Sequence, residues 1–290
     1  MPAAQEANKQ RGFKRSACAR PAAVHAPKIP KAADVKMSDP GKASLTIRPP
    51  QILLERLGNP SIAVGFDIET HDWLDHTDNR GHIGELGWYT MKEESSLRFD
   101  RLVQLGWVIS EVGLSAPVEK KTVTVRPDGF VVSGRATKIH KITHEQAVKE
   151  GVALADALQE FMADVKRACE SGARVVAHQI EYDYRIIYEE LSRCGLNALQ
   201  EDWRNIARKG YCTMNPVLGK WVLQCSRDEV GPQTTLGLDR MTGYLFSDAE
   251  KKDLGVPSKR HHAGADAQIT QLIYRALLAH TSVWRGDAPR

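Results

Sequence analysis

Three short segments carry residues able to share one piece of chemistry. The first is Phe66-Asp67-Ile68-Glu69-Thr70, which follows the apolar run Ile62-Ala63-Val64-Gly65. A strand sends residues i and i+2 to the same face, so Asp67 and Glu69 project two carboxylates together. Two such groups repel, so one protonates or a cation sits between them. All-oxygen ligation suits Mg²⁺ or Mn²⁺. The spacing by itself is common. Asp248-Ala249-Glu250 repeats it outside any apolar run, and the competing reading of the first copy is a solvated strand end. The second segment is Val175-Val176-Ala177-His178-Gln179-Ile180-Glu181-Tyr182-Asp183. Here an apolar strand gives way to a helix with Asp183 in its first turn, where an acid also simply complements the helix dipole. The third is Arg260-His261-His262-Ala263-Gly264-Ala265-Asp266-Ala267. His261 stands five residues before Asp266, and a histidine near a metal-held carboxylate can deprotonate a water at neutral pH. Its competing reading is a surface residue in a Lys-Arg-His-His run.

The elements that must position these groups follow from hydrophobic periodicity. Residues 62–66, 102–109 and 174–177 are apolar runs of strand length, and residues 121–125 alternate as a fourth strand. Helical spacing runs over residues 156–169, over 182–194 with Gly195 as its stop, over 235–245 and over 263–278. Strands come first and then alternate with helices, which predicts an α/β mixed sheet flanked by helices. Between Thr70 and Arg101 lie 30 residues joining two strands, a long insertion after the first strand. Long connections of this kind are functional or disordered. This one keeps Trp73, Trp88 and Tyr89 along with three histidines, which argues against disorder.

Composition excludes several classes. The chain has 290 residues, 42% of them apolar and 26% charged, as expected of a globular protein. No apolar run approaches the roughly 18 residues of a membrane span. Residues 1–50 hold 10 Lys+Arg against 3 acids, leaving 30 against 33 for residues 51–290. The net charge of +4 is therefore a property of the tail. That tail, rich in Ala, Pro and Lys, cannot bury enough apolar surface to offset its ordering entropy. The expected organisation is a disordered basic tail over 1–50 and one domain over 51–290. Five cysteines with no C-x-x-C spacing fit a reducing compartment and argue against a disulfide framework or structural zinc. With no apolar signal core at the N-terminus, the expected location is intracellular, with nucleus, cytoplasm and organelle all open. No Gly-rich phosphate loop is present, and Cys212 lies in a strand-like context unsuited to a reactive thiol.

Taken together and in order, the three segments resemble the DEDDh 3′–5′ exonuclease superfamily, which includes RNase T and the proofreading subunit of DNA polymerase III. Two further stretches match: Arg101-Leu102-Val103-Gln104-Leu105-Gly106-Trp107, like that family's second strand, and Ala136-Thr137-Lys138-Ile139-His140-Lys141-Ile142-Thr143, like its IHGIT segment with Lys141 in place of Gly. The resemblance spans about residues 62–278. It implies an RNase H-like fold with a five-stranded sheet, and two Mg²⁺ or Mn²⁺ ions held by Asp67, Glu69, Asp183 and Asp266. Asp67 would be shared by both ions, and His261 would be the general base. The implied reaction is hydrolysis of single-stranded RNA or DNA from a free 3′ end to nucleoside 5′-monophosphates. The sequence departs from the family pattern at His71-Asp72, Gln179 and His262. A sister group has Tyr at the position of His262, so His261 is preferred as base on spacing alone. Thr70, Trp73, Tyr89, Lys259 and Arg260 are candidates for the substrate surface. Lys138 and Lys141 could also meet phosphates, and the aromatic residues either stack on terminal bases or pack the insertion onto the body. Two alternatives stand beside this reading: a catalytically silent nucleic-acid-binding module on the same fold, and a proofreading subunit that needs a polymerase partner. The sequence singles out no protein partner and no membrane.

Overall fold

The fold is built around one strand, β1 (Ile62–Thr70), whose side chains alternate between two cores. Val64, Phe66 and Ile68 enter one core, while Ala63 enters the other. In the computed structural model the described residues are 45–72, 80–83, 89–91, 100–113, 118–228, 230 and 235–285, with side chains left out at 80–83, 89–91 and 285. The chain divides into Met1–Ser38 and Asp39–Arg290, and all that follows concerns the second unit.

β1 pairs antiparallel with β4 (Leu102–Glu111) and parallel with β6 (Ala173–Ala177). β5 (Glu119–Thr124) continues antiparallel beyond β4, and the short β7 (Tyr211–Cys212) continues parallel beyond β6. The strand order is β5-β4-β1-β6-β7, a mixed five-stranded sheet. The insertion after β1 contributes a separate hairpin of β2 (Arg80–Ile83) and β3 (Tyr89–Met91).

One face of the sheet is covered by α4 (Leu154–Glu170), α5 (Ile180–Arg193) and α6 (Asn197–Ala207). Phe66 meets Trp203 edge-on at 5.2 Å and Phe161 at 5.9 Å, favourable geometry for buried rings. Trp107 donates its indole N–H to buried Asp164 at 3.0 Å. The other face is covered by α10 (Ala263–Arg285), with α1 (Gln51–Leu57), α7 (Pro216–Ser226) and α8 (Leu238–Leu245) packed around it. Residues 45–50, placed in the tail by composition, include buried Leu45, and the Ile47 carbonyl accepts from the Trp221 indole at 3.0 Å.

The smaller helices have legible local causes. α2 (Gly134–His140) starts at Ser133, whose hydroxyl accepts from Ala136 N–H, and ends at Lys141, which holds the left-handed conformation at φ 67°. That is the position where the resembled family has Gly, the residue suited to a positive φ. α3 (His144–Glu150) opens with a capping box of Thr143 and Gln146. α9 (Asp248–Asp253) opens with another of Ser247 and Glu250. The second D-x-E copy is thus a helix start: Asp248 pairs with Lys251 and Glu250 caps Ser247. Among the described residues, no helix is long and apolar enough to cross a membrane.

Candidate active site

The alternation of β1 decides where its acids go. Odd-numbered residues face α10, so Asp67 and Glu69 emerge beneath that helix's N-terminus. Close packing makes this possible. A Cβ on Gly65 would lie 2.5 Å from the Ala267 carbonyl, one on Gly106 would lie 2.2 Å from Gly264 N, and one on Gly264 would lie 1.9 Å from Thr122 Oγ1. None of these is tolerable, so three glycines are what bring α10 down on β1, β4 and β5. Gln104, beside Glu69 in the β1–β4 register, accepts from Ala263 N–H at 2.9 Å and seats the start of the helix.

Four carboxylates converge there from three elements. Buried Asp183 stands in the first turn of α5, reached through Gln179, which is left-handed at φ 70°. Its Oδ2 is sealed from solvent with no hydrogen-bond partner among the described residues. Buried Asp266 stands in the first turn of α10. One oxygen accepts from Arg260 Nη1 at 2.5 Å and the other from the His261 backbone N–H at 3.1 Å. Donor atoms of Glu69, His261 and Asp266 all lie within 4.8 Å of one another. His261 is exposed and left-handed at φ 57°, and it is His261, rather than His262, whose ring joins this group.

The electrostatics are those of an acid cluster short of cations. Desolvation, followed by repulsion from Asp183, Glu69 and Asp266, holds the Asp67 carboxyl well above its usual range. Desolvation and Asp266 push Glu69 up to about 8. Asp183 rises through burial and then through Glu69 and Asp266. Asp266 also rises through burial, against the lowering effect of Arg260 and the His261 N–H. The four carboxylates offer hard oxygens, and a divalent cation among them would relieve both the repulsion and the unpartnered Asp183 oxygen. The site therefore fits the ions that the motifs imply.

The remaining expected residues are placed unevenly. Thr70 is engaged internally: its hydroxyl donates to the Asp72 carbonyl at 3.0 Å and lies 3.1 Å from the Tyr182 hydroxyl. Arg260 bridges Asp266 and Asp239, its Nε donating to Asp239 at 2.6 Å. Lys259 is exposed beside it. Trp73 and Trp88 lie outside the described residues, and Tyr89 is described only as part of the β3 backbone. Cys212 is buried, and burial raises its thiol pKa.

Several residues near the site were given no role of their own from sequence. Tyr182 donates to buried Asp100 at 3.2 Å while meeting Thr70, and His140 Nε2 lies 3.3 Å from the Thr70 carbonyl. Together they pin the end of β1, where the register with β4 shifts just after Glu69. His178 lies 2.9 Å from Thr213 Oγ1 through Nδ1, and its Nε2 is sealed with no partner among the described residues. Burial, and then Arg260, push its pKa down to about 3, so it is neutral at physiological pH. The available signals were the histidine of the Ile139-His140-Lys141-Ile142-Thr143 stretch and the tyrosine one residue before Asp183.

No protein-family model matches the chain, and no curated protein matches it. Solved structures do. The zinc-bound Escherichia coli exonuclease I complex with single-stranded DNA superimposes with a TM-score of 0.53 at 13% identity, over 76% of this chain and 41% of that one. The E. coli exonuclease I complex with a dA16 oligonucleotide gives 0.51 at 13% identity, over 78% and 43%. A further exonuclease I structure gives 0.51 at 14%, over 76% and 41%. The chain thus spans about two fifths of the length of these proteins. At this identity the likeness is one of fold: a mixed five-stranded sheet flanked by helices, RNase H-like, as in exonuclease I.

Proposed function

We propose that residues 51–290 form a metal-dependent 3′–5′ exonuclease acting on single-stranded nucleic acid. The observation that carries this reading is the convergence of Asp67, Glu69, Asp183 and Asp266 under the start of α10, with His261 at the rim. Structural neighbours solved with single-stranded DNA favour DNA as the strand.

The four carboxylates would hold two Mg²⁺ or Mn²⁺ ions, which when bound supply an acidified water and charge neutralisation at the phosphate. His261 accepts the proton of the attacking water on a ring nitrogen; its exposure leaves it open to solvent for the return of that proton. In-line attack on the terminal phosphodiester breaks the bond to the 3′ oxygen and releases a nucleoside 5′-monophosphate. Tyr182 and His140 hold the end of β1 so that Glu69 stays aimed at the cluster. Neutral His178 adds no charge to the site. Arg260 is well placed to meet a substrate phosphate once cations take over its role beside Asp266. A single-stranded nucleic acid with a free 3′ end is the partner that this arrangement requires.

The test is a time course on single-stranded DNA and RNA labelled at either end, run with Mg²⁺, Mn²⁺ or EDTA, alongside Asp67→Asn. Stepwise shortening from the 3′ end that needs both metal and Asp67 is expected, with DNA the faster substrate. Near-full activity in Asp67→Asn would overturn the assignment. Absence of shortening under any metal would favour a silent binding module.

A further inference from the structure

The N-terminal ends of the three parallel strands meet on the side of the sheet opposite the acid cluster. A shallow basin of about 500 Å³ lies there, lined by Asn59, Pro60, Gly172, Ala173, Arg174 and Lys209. Asn59 precedes β1, Gly172 to Arg174 lead into β6, and Lys209 precedes β7. The start of β1 at Ile62 is about 17 Å along the strand from Asp67, at about 3.3 Å per residue. The basin is therefore separate from the catalytic cluster.

Its chemistry is one-sided. Two of the six lining residues are cationic and none is acidic. Neither Arg174 nor Lys209 has an ion-pair partner among the described residues, although other cations of the molecule are widely paired. Arg174 Nε is sealed from solvent with no acceptor among the described residues. A buried donor left unpaired is unfavourable and calls for a partner, whether a water or a bound anion. The guanidinium is flanked on two sides. It lies over the Tyr211 ring at 5.9 Å, and a Cβ on Gly58 would approach its Nη1 to 2.6 Å. Gly58, at φ 61°, thus leaves the space that the guanidinium fills. A guanidinium fork packed against a ring, beside an exposed ammonium, suits a tetrahedral oxyanion.

We propose that this basin is a phosphate-binding site, with Arg174 as the anchor and Lys209 as the second cation. The phosphate belongs either to a free phosphate ester or to the backbone of a bound strand. The inference does not depend on catalysis by the acid cluster.

The experiment uses the full chain in EDTA, where hydrolysis cannot contribute. Amide shifts are followed by NMR on titration with inorganic phosphate, with a nucleoside 5′-monophosphate and with a single-stranded oligonucleotide. Saturable shifts at Gly58, Gly172 and Lys209 are expected for the wild type. They should be lost in Arg174→Gln combined with Lys209→Gln, with the rest of the spectrum unchanged. Should that pair not fold, Lys209→Gln alone is the exposed substitution and should weaken the phosphate response several-fold. The oligonucleotide arm separates the sources. A backbone phosphate in the basin lowers the slope of log K against log salt by about 0.7 in the variant. A free ester leaves the slope unchanged while phosphate binding is still lost. No shift at these amides up to tens of millimolar phosphate, or equal shifts in the variants, would overturn the proposal.

Discussion

His261 and His262 are adjacent, and at the residue scale geometry separates them. His261 takes a left-handed backbone, which turns its ring toward Glu69 and Asp266. His261→Ala should therefore lower the hydrolysis rate about 10²–10⁴-fold, the usual worth of a positioned base, and high pH should partly restore it as hydroxide replaces the base. His262→Ala should leave the rate within a few-fold. Initial rates of both variants between pH 7 and 10 decide this; a damaging His262→Ala would move the base by one position. The same conformational argument applies at Lys141, whose side chain strains a left-handed helix cap at φ 67°. Lys141→Gly should stabilise the protein by about 1 kcal/mol, raising Tm by about 2–4 °C for a chain of this size. Calorimetry checks the sign. Glycine's extra freedom in the unfolded chain acts against the gain, so a lower Tm would show that Lys141 makes compensating contacts.

At the scale of elements, the decisive feature is how closely α10 approaches the sheet. Gly264→Ala would drive a methyl group into Thr122 Oγ1 and lift the helix that carries Asp266. The expected loss is about 1–3 kcal/mol of stability, as for other overpacked sites, together with most of the activity. Adding Thr122→Ala should recover much of both, because the two residues share one contact; purely additive losses would place the strain elsewhere. The sequence made the framework legible where burial is strongest: β1, β4, β6, α4, α5 and α10 carry continuous or periodic apolar residues and appear as expected. α6 was passed over because it buries only Trp203 and Ala207. α7 had a readable start in Asn215-Pro216, where the Asn215 side chain accepts from Leu218 N–H. The helix read over 235–245 begins at Leu238. The D-x-E, H-x-x-x-x-D and H-x-x-x-x-D spacings contain the four acids that the fold brings near one another. The residues that pin β1, namely Asp100, Tyr182 and His140, are far apart in sequence, and no local pattern joins them.

Across the whole molecule, folding drives four acids together against their mutual repulsion, and this has a thermodynamic signature. Glu69, with an ordinary value near 4.5, is pushed up to about 8, and Asp67 and Asp183 move in the same direction. The folded, metal-free protein therefore holds protons that the unfolded chain has released. Wherever the native state binds more protons, stability falls as pH rises. The Glu69 contribution is fully present below about pH 4.5 and is lost as pH climbs through 8. His178 acts in the opposite sense: its folded value near 3 against an ordinary 6.5 gives stability that is present above 6.5 and lost as pH falls toward 3. Between pH 6.5 and 8 the carboxylates act without that opposition. In EDTA, Tm should fall across this interval, and Glu69→Gln should flatten the decline. Mg²⁺ should raise Tm, since a ligand that binds only the native state stabilises it by about 2.7 kcal/mol at a hundred times its Kd. The rise should be larger at pH 8 than at pH 6.5, because cations displace protons from the same oxygens. Asp183→Asn removes a buried acid and should lose most of the rise. Calorimetric scans of the wild type and both variants, with EDTA or Mg²⁺, test the cluster independently of any nuclease assay. A wild-type Tm that ignores Mg²⁺ at both pH values would mean that the four carboxylates are a structural cluster and not a metal site.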